Sequence, residues 1–174
     1  MKTNKSKKSP MCRLCGALGT AILVAIILVC VPFTLPKIFG YQAYTVISGS
    51  MEPTISVGSL VYVRSQEPDK IQEGDVIAYL GGRDSNSVIT HRVIENKIAD
   101  RKYITKGDAN QTTDMIAVTY QHLLGKVEYI VPKLGITAQF LTSITGKFAA
   151  GCMVVAAIIL QIGASLLDKR NDEG

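Results

Sequence analysis

Two long apolar blocks frame the chain, and short alternating runs fill the space between them. Residues 14–36 form the first block, 23 positions without a charged side chain. At about 1.5 Å per residue, a helix of that length crosses a hydrocarbon core of about 30 Å. Pro32 and Pro36 fall at its far end, where a helix frays or stops. The second block is the uncharged run 148–167, twenty residues between Lys147 and Asp168, interrupted only by Gln161 and Ser165. It lacks the polar face of a helix packed on a soluble core, so it reads as a second spanning helix rather than a buried core helix. A cleaved signal peptide would also explain the charged head and the first block. That block is longer than the apolar region of such a peptide, which favours an uncleaved anchor.

Between the blocks, runs rich in Val, Ile, Tyr and Thr recur at 42–47, 60–63, 76–79, 88–94, 102–106 and 127–131. These are strand signals. Glu67-Pro68-Asp69, Glu73-Gly74-Asp75, the segment 81–86, Lys106-Gly107-Asp108 and Val131-Pro132 separate them as turns. The fold class expected is mainly β: a small antiparallel, barrel-like domain between two transmembrane α-helices. The corresponding domain boundaries are a basic tail at 1–13, a transmembrane helix at 14–36, a β domain at 37–147, a transmembrane helix at 148–167 and a short tail at 168–174.

Charge refines this picture. The net charge is +5, but residues 36–147 carry 12 basic and 11 acidic side chains, so most of the excess is the cluster Lys2, Lys5, Lys7, Lys8 and Arg13. A basic segment before a first span places the N-terminus in the cytoplasm. Two spans then put the β domain outside and the C-terminal tail, with Lys169 and Arg170, back inside. The near-neutral middle and the absence of Trp argue against a nucleic-acid partner, which calls for a basic patch with aromatics inside the folded domain. Cys12, Cys15, Cys30 and Cys152 all lie outside the β region. Cys12-x-x-Cys15 has no second ligand pair, so no metal site is read from it.

Candidate chemistry centres on Val46-Ile47-Ser48-Gly49-Ser50-Met51-Glu52-Pro53-Thr54. A strand-like pair leads into a bend, and Pro53 keeps Glu52 extended. A polar turn accounts for these residues, and so does a serine presented for nucleophilic attack if a base is near. His91 lies in the strand-like run 88–94, where neighbours alternate faces, so His91 and Arg92 point to opposite sides. An imidazole with the reference pKa of about 6.5 takes a hydroxyl proton near neutrality, whereas a lysine base needs a strongly lowered pKa. His122, in Tyr120-Gln121-His122-Leu123, reads as structural. A third group to orient the imidazole is offered by 106–114, where Asp108 and Asp114 flank a bend. Either carboxylate can serve by spacing, and Asp108 is also expected to bond its own backbone in an Asx turn.

Taken together, Ser48-Gly49-Ser50-Met51-Glu52-Pro53, Gly74-Asp75-Val76-Ile77, Thr90-His91-Arg92-Val93 and Gly107-Asp108-Ala109-Asn110 through Asp114 resemble the sequence boxes of type I signal peptidases. Most bacterial members use a Ser–Lys dyad. A histidine at the lysine position resembles the endoplasmic-reticulum-type branch, and the second spanning helix is more like its Gram-positive or archaeal members. The resemblance implies Ser50 as nucleophile, His91 as general base, Asp114 as its acidic partner and Asp108 as a nearby structural acid. It implies an oxyanion hole from the Ser48 hydroxyl and the Ser50 backbone N–H. It also implies cleavage of signal peptides from exported preproteins after small residues, at the outer face of the cell membrane. No cofactor and no metal is expected. The partners implied are preproteins and the lipid bilayer, with contacts to the secretion machinery. Substrate binding beside the edge of the first strand, at 44–47, is a further expectation. The competing reading is a non-catalytic two-helix membrane protein whose β domain binds partners in secretion.

An imidazole base makes a direct prediction. Cleavage should fall as pH drops below about 6–7, because protonation removes the accepting lone pair. A rate that stays flat from about pH 5 to 8 in a pH–rate profile would contradict that base.

Overall fold

The computed structural model describes residues 10–81 and 87–172. The residues before Pro10, positions 82–86 of the turn expected at 81–86, and the last two residues lie outside them. Helix α1 (Pro10–Ile38) contains the first apolar block. It runs through Pro32 and Pro36, where the sequence had suggested fraying. Each proline removes one backbone donor and crowds the carbonyl four residues back, and two prolines four apart confine that loss to one side of the helix. The helix closes just beyond, with Phe39 N–H donating to the Pro36 carbonyl at 3.0 Å and Gly40 N–H to Lys37 at 3.1 Å. Helix α3 (Ile144–Asp172) contains the second block. Arg13–Ile38 and Ile144–Asp168 are both long and apolar enough to cross a membrane.

The helix pair forms one compact unit and Phe33–Phe140 the other. Within the first, Gly19 is buried and faces Ala157 and Gln161. A Cβ on it would stand 3.0 Å from both the Ala157 carbonyl oxygen and Gln161 Cγ. The missing side chain lets the two backbones approach closely, as small residues do in membrane helix pairs.

In the second unit, β1 (Tyr41–Thr45), β2 (Leu60–Arg64), β3 (Val76–Leu80), β4 (Val88–Lys97), β5 (Lys102–Lys106), β6 (Val118–Thr119) and β7 (Leu123–Val131) make one sheet. Its order is β1-β2-β7-β3-β4-β5-β6, and every pairing is antiparallel. The sheet curls into a half-barrel, as the alternating pattern predicts. A short helix, α2 (Leu134–Thr142), follows β7.

Strand β3 lies between the two hydrophobic clusters. Its residues Val76 and Ala78 enter one hydrophobic cluster with Met51, Ile55, Val61, Val63 and Val127. Ile77 and Tyr79 enter the other with Ile71, Val93, Tyr103, Val118 and Tyr120. A strand buried on both faces reads as a continuous apolar run, which Val76-Ile77-Ala78-Tyr79-Leu80 is. The curled sheet provides cover on both sides of this strand.

Tyr103 anchors the second cluster. It is fully buried, its ring lies 4.8 Å from that of Tyr120, and its hydroxyl donates to the Pro68 carbonyl at 2.9 Å. We predict that Tyr103→Ala lowers the unfolding free energy by roughly 3–5 kcal/mol, the cost of emptying an aromatic site. Tyr103→Phe, which loses only a hydrogen bond, should cost about 1 kcal/mol. Denaturant unfolding of the detergent-solubilised protein measures both. Equal losses would show that the hydroxyl, not the ring volume, carries the stability.

Candidate active site

The Ser50 loop is held from below by its own neighbours. Met51 is 1% exposed and Ile55 is fully buried, both in the first cluster. Burying one such side chain stabilises by about 1.5–3 kcal/mol, which ties the loop to the core. The backbone is fixed locally by Glu52 N–H to the Gly49 carbonyl at 3.0 Å and Ile55 N–H to Met51 at 2.8 Å. Glu52–Pro53 is a cis peptide bond.

From above, the loop is clasped by Gly107-Asp108-Ala109. The Ala109 N–H donates to the Ser50 carbonyl at 2.9 Å. A Cβ on Gly107 would lie 2.5 Å from that same oxygen, so the residue there has to be glycine for the two backbones to meet.

His91 comes from β4, opposite Ile77 of β3. Its Nε2 lies 3.2 Å from Ser50 Oγ. Its Nδ1 lies 2.7 Å from Asp114 Oδ2. Asp114 follows β5 in a return loop whose backbone N–H donates to the Thr105 carbonyl at 2.8 Å. The Thr105 hydroxyl donates to Asp114 Oδ2 at 2.6 Å, and the Tyr79 hydroxyl to the same oxygen at 3.3 Å. The Ser48 hydroxyl stands 3.4 Å from Ser50 Oγ. Ser48, Ser50, His91 and Asp114 are therefore brought together, in an arrangement that can pass a proton from a hydroxyl to an imidazole held by a carboxylate.

Asp108 is not in that line. It faces Arg92, which donates from Nε at 2.8 Å and from Nη2 at 2.6 Å. The same guanidinium donates from Nη1 to the Gly74 carbonyl at 2.7 Å. The expectation of an Asx turn at Asp108 gives way to this pair, because a guanidinium offers a fork of donors that fits both carboxylate oxygens. The alternation predicted for β4 explains the division: His91 reaches Asp114 while Arg92, on the other face, reaches Asp108. Spacing alone left the two acids equivalent, and geometry separates them. His122 sits in a short 3₁₀ turn with its Nδ1 3.1 Å from the Thr119 hydroxyl. An apolar groove of about 1120 Å³ opens beside His91 and Asp114, with Tyr79, Ile89, Met115 and Ile116 along it.

Sequence reasoning missed Thr105 and Tyr79. Both sit in ordinary strand runs, where β-branched and aromatic residues are expected for packing alone. The only signal available was a polar Thr at a position that strand alternation buries.

This hydroxyl–imidazole–carboxylate array has the groups that attack by a serine hydroxyl requires. Comparisons with known proteins point to a family. Residues 17–95 match the family model described as signal peptidase, peptidase S26, a segment that contains Ser48, Ser50, Tyr79 and His91 and stops short of Thr105 and both acids. Signal peptidase I W of Bacillus subtilis (strain 168) is 37% identical over 91 residues, 51% of this chain and 47% of that protein. The signal peptidase complex catalytic subunit SEC11C of Homo sapiens is 40% identical over 73 residues, 40% of this chain and 37% of that protein. The SEC11 subunit of Scheffersomyces stipitis is 32% identical over 108 residues, 56% of this chain and 63% of that protein. The chain thus spans between about a third and two thirds of the length of these relatives. Over these segments the chain is similar to signal peptidases, as its motifs indicated.

The Arg92–Asp108 pair has a testable pH signature. The Arg92 guanidinium, helped by the Thr54 hydroxyl, holds the Asp108 carboxyl below the ordinary carboxylate range. A carboxylate depressed in the folded state stabilises fully above its unfolded pKa of about 3.9, and that contribution is lost as pH falls through the lower folded value. Wild-type thermal stability should therefore drop below about pH 4, and Asp108→Asn should be less stable at pH 7 with a shallower drop on the acid side. Parallel melting curves for the two proteins from about pH 2 to 7 would refute the pair's contribution.

Proposed function

We propose that this chain is a membrane-bound serine endopeptidase that removes N-terminal signal peptides from exported preproteins, cutting after small residues. The observation that carries the reading is the line from Ser50 Oγ to His91 Nε2 and from His91 Nδ1 to Asp114, partly within a segment that matches a signal peptidase family. In this mechanism Asp114 accepts the Nδ1–H of His91, which leaves Nε2 unprotonated toward Ser50. Nε2 takes the Ser50 proton as Oγ attacks the scissile carbonyl. In this scheme the oxyanion that develops is met by the Ser48 hydroxyl and the Ser50 backbone N–H, since donors aimed at developing charge stabilise the transition state. The imidazolium then gives its proton to the leaving amine, and water releases the acyl group by the same steps in reverse. Asp108 takes no proton in this scheme and braces β4 against the loop.

The two apolar helices fit the task. In this reading they anchor the chain as a multi-pass protein of the cell membrane, N-terminus in the cytoplasm and β domain (37–147) on the outer side. A signal peptide held in the same bilayer presents its cleavage site to an anchored enzyme at high effective concentration. The substrate lies extended beside the edge formed by the end of β1 and the residues after it, 44–47, and the chain's partners are preproteins and components of the secretion machinery.

The test is cleavage of a preprotein with an Ala-x-Ala site in liposomes, by wild type and Ser50→Ala side by side. We expect cleavage after that site by the wild type and a loss on the order of 10⁴–10⁶-fold in the variant, as for removal of a serine nucleophile. Equal rates from the two proteins would refute Ser50 as nucleophile. No cleavage by either folded protein would favour a binding domain in secretion instead.

A further inference from the structure

We propose that Thr105 is a positioning residue for the peptidase reaction, acting through Asp114 to set the tautomer of His91. The inference rests on the function proposed above. Thr105 is fully buried in β5, where its branched side chain has restricted rotamers. It holds Asp114 at two points. Its carbonyl accepts the Asp114 backbone N–H at 2.8 Å, and its hydroxyl donates to Asp114 Oδ2 at 2.6 Å. A residue on a return loop is thereby fixed in both backbone and carboxylate direction.

The clamp decides a competition. His91 Nδ1 has two neighbours: Asp114 Oδ2 at 2.7 Å and the Tyr79 hydroxyl at 3.4 Å. Asp114 Oδ2 can only accept, so it selects the tautomer with hydrogen on Nδ1. That tautomer leaves Nε2 free to accept from Ser50 Oγ at 3.2 Å. The Tyr79 hydroxyl keeps its hydrogen, since burial pushes its pKa up to about 12. A hydroxyl both accepts and donates, so Tyr79 by itself selects neither tautomer; where it donates to Nδ1, the hydrogen lies on Nε2, which then points an N–H at Ser50 and cannot accept its proton. With Thr105 holding the carboxylate, the shorter contact belongs to Asp114. Tyr79 is then turned to the same use, its hydroxyl donating to Oδ2 at 3.3 Å and its ring meeting the imidazole edge-on with centroids 6.3 Å apart.

The test compares Thr105→Val, which keeps the shape and removes the hydroxyl, with Thr105→Ser, which keeps the hydroxyl. A hydrogen bond to a charged group corresponds to roughly 10- to 150-fold in rate. We expect Thr105→Val to lower kcat by about that factor with KM changed less than about twofold, and Thr105→Ser to recover most of the rate. In an Asp114→Asn background, Thr105→Val should cost little more, since both act through one carboxylate. Nitrogen NMR of the His91 ring gives a readout that does not depend on turnover. The wild type should carry hydrogen on Nδ1, and Thr105→Val should populate the Nε2–H form. An unchanged tautomer in Thr105→Val, a Thr105→Ser variant as slow as Thr105→Val, or full additivity with Asp114→Asn would each overturn the proposal. A wild type that cleaves nothing overturns the peptidase reading instead, and the tautomer measurement then still decides the clamp.

Discussion

The carbonyl of Ser50 accepts a hydrogen bond from Ala109 at 2.9 Å, and Gly107 is seated against the same oxygen. This contact joins segments nearly sixty residues apart in the chain, and the site exists only while it holds. The β4–β5 hairpin carries His91 on one strand and delivers Gly107 directly after the other. Docking that hairpin end on the Ser50 loop therefore sets the imidazole and the hydroxyl in one step. Closing loops of this length costs conformational entropy that grows slowly with length, and the two apolar clusters on either side of β3 offset it.

Two carboxylates six residues apart are given opposite work by their surroundings. Asp108 faces a guanidinium that satisfies both its oxygens, which makes it a strut between β4 and the serine loop. Asp114 faces an imidazole and two hydroxyls, all directed to one oxygen. Among the described residues the strut and the array share no hydrogen-bond partner, yet both depend on β4, because consecutive residues of a strand serve opposite faces. A bulge at Ile94, where the β4–β5 register shifts, lies just beyond this pair and leaves it intact.

The Gly74-Asp75 box supports the same strand from the other end. Gly74 N–H donates to the Val93 carbonyl and the Gly74 carbonyl accepts from Arg92, while Asp75 pairs with Lys126 of β7 at 2.6 Å. A motif that carries no chemistry of its own thus fixes the height of His91 in the sheet. The family match, which includes Gly74-Asp75 and His91, covers this support as well as the serine loop.

By itself the sequence determined the two apolar helices, the antiparallel β class and six of the seven strands, because each is written in local periodicity. It also singled out Ser50, His91 and the two acids as candidates for chemistry, since they stand in recognisable boxes. It did not determine the two-residue strand β6, the first half of β7 or helix α2, which are too short to carry a period of their own. Nor did it separate Asp108 from Asp114, or mark Thr105 and Tyr79 as more than strand residues. Those assignments depend on which face of β4 meets which loop and on which hydroxyl reaches a carboxylate nine or thirty-five residues away. Only the curl of the sheet decides that, because hydrogen bonds between distant segments follow from register and docking rather than from any pattern along the chain.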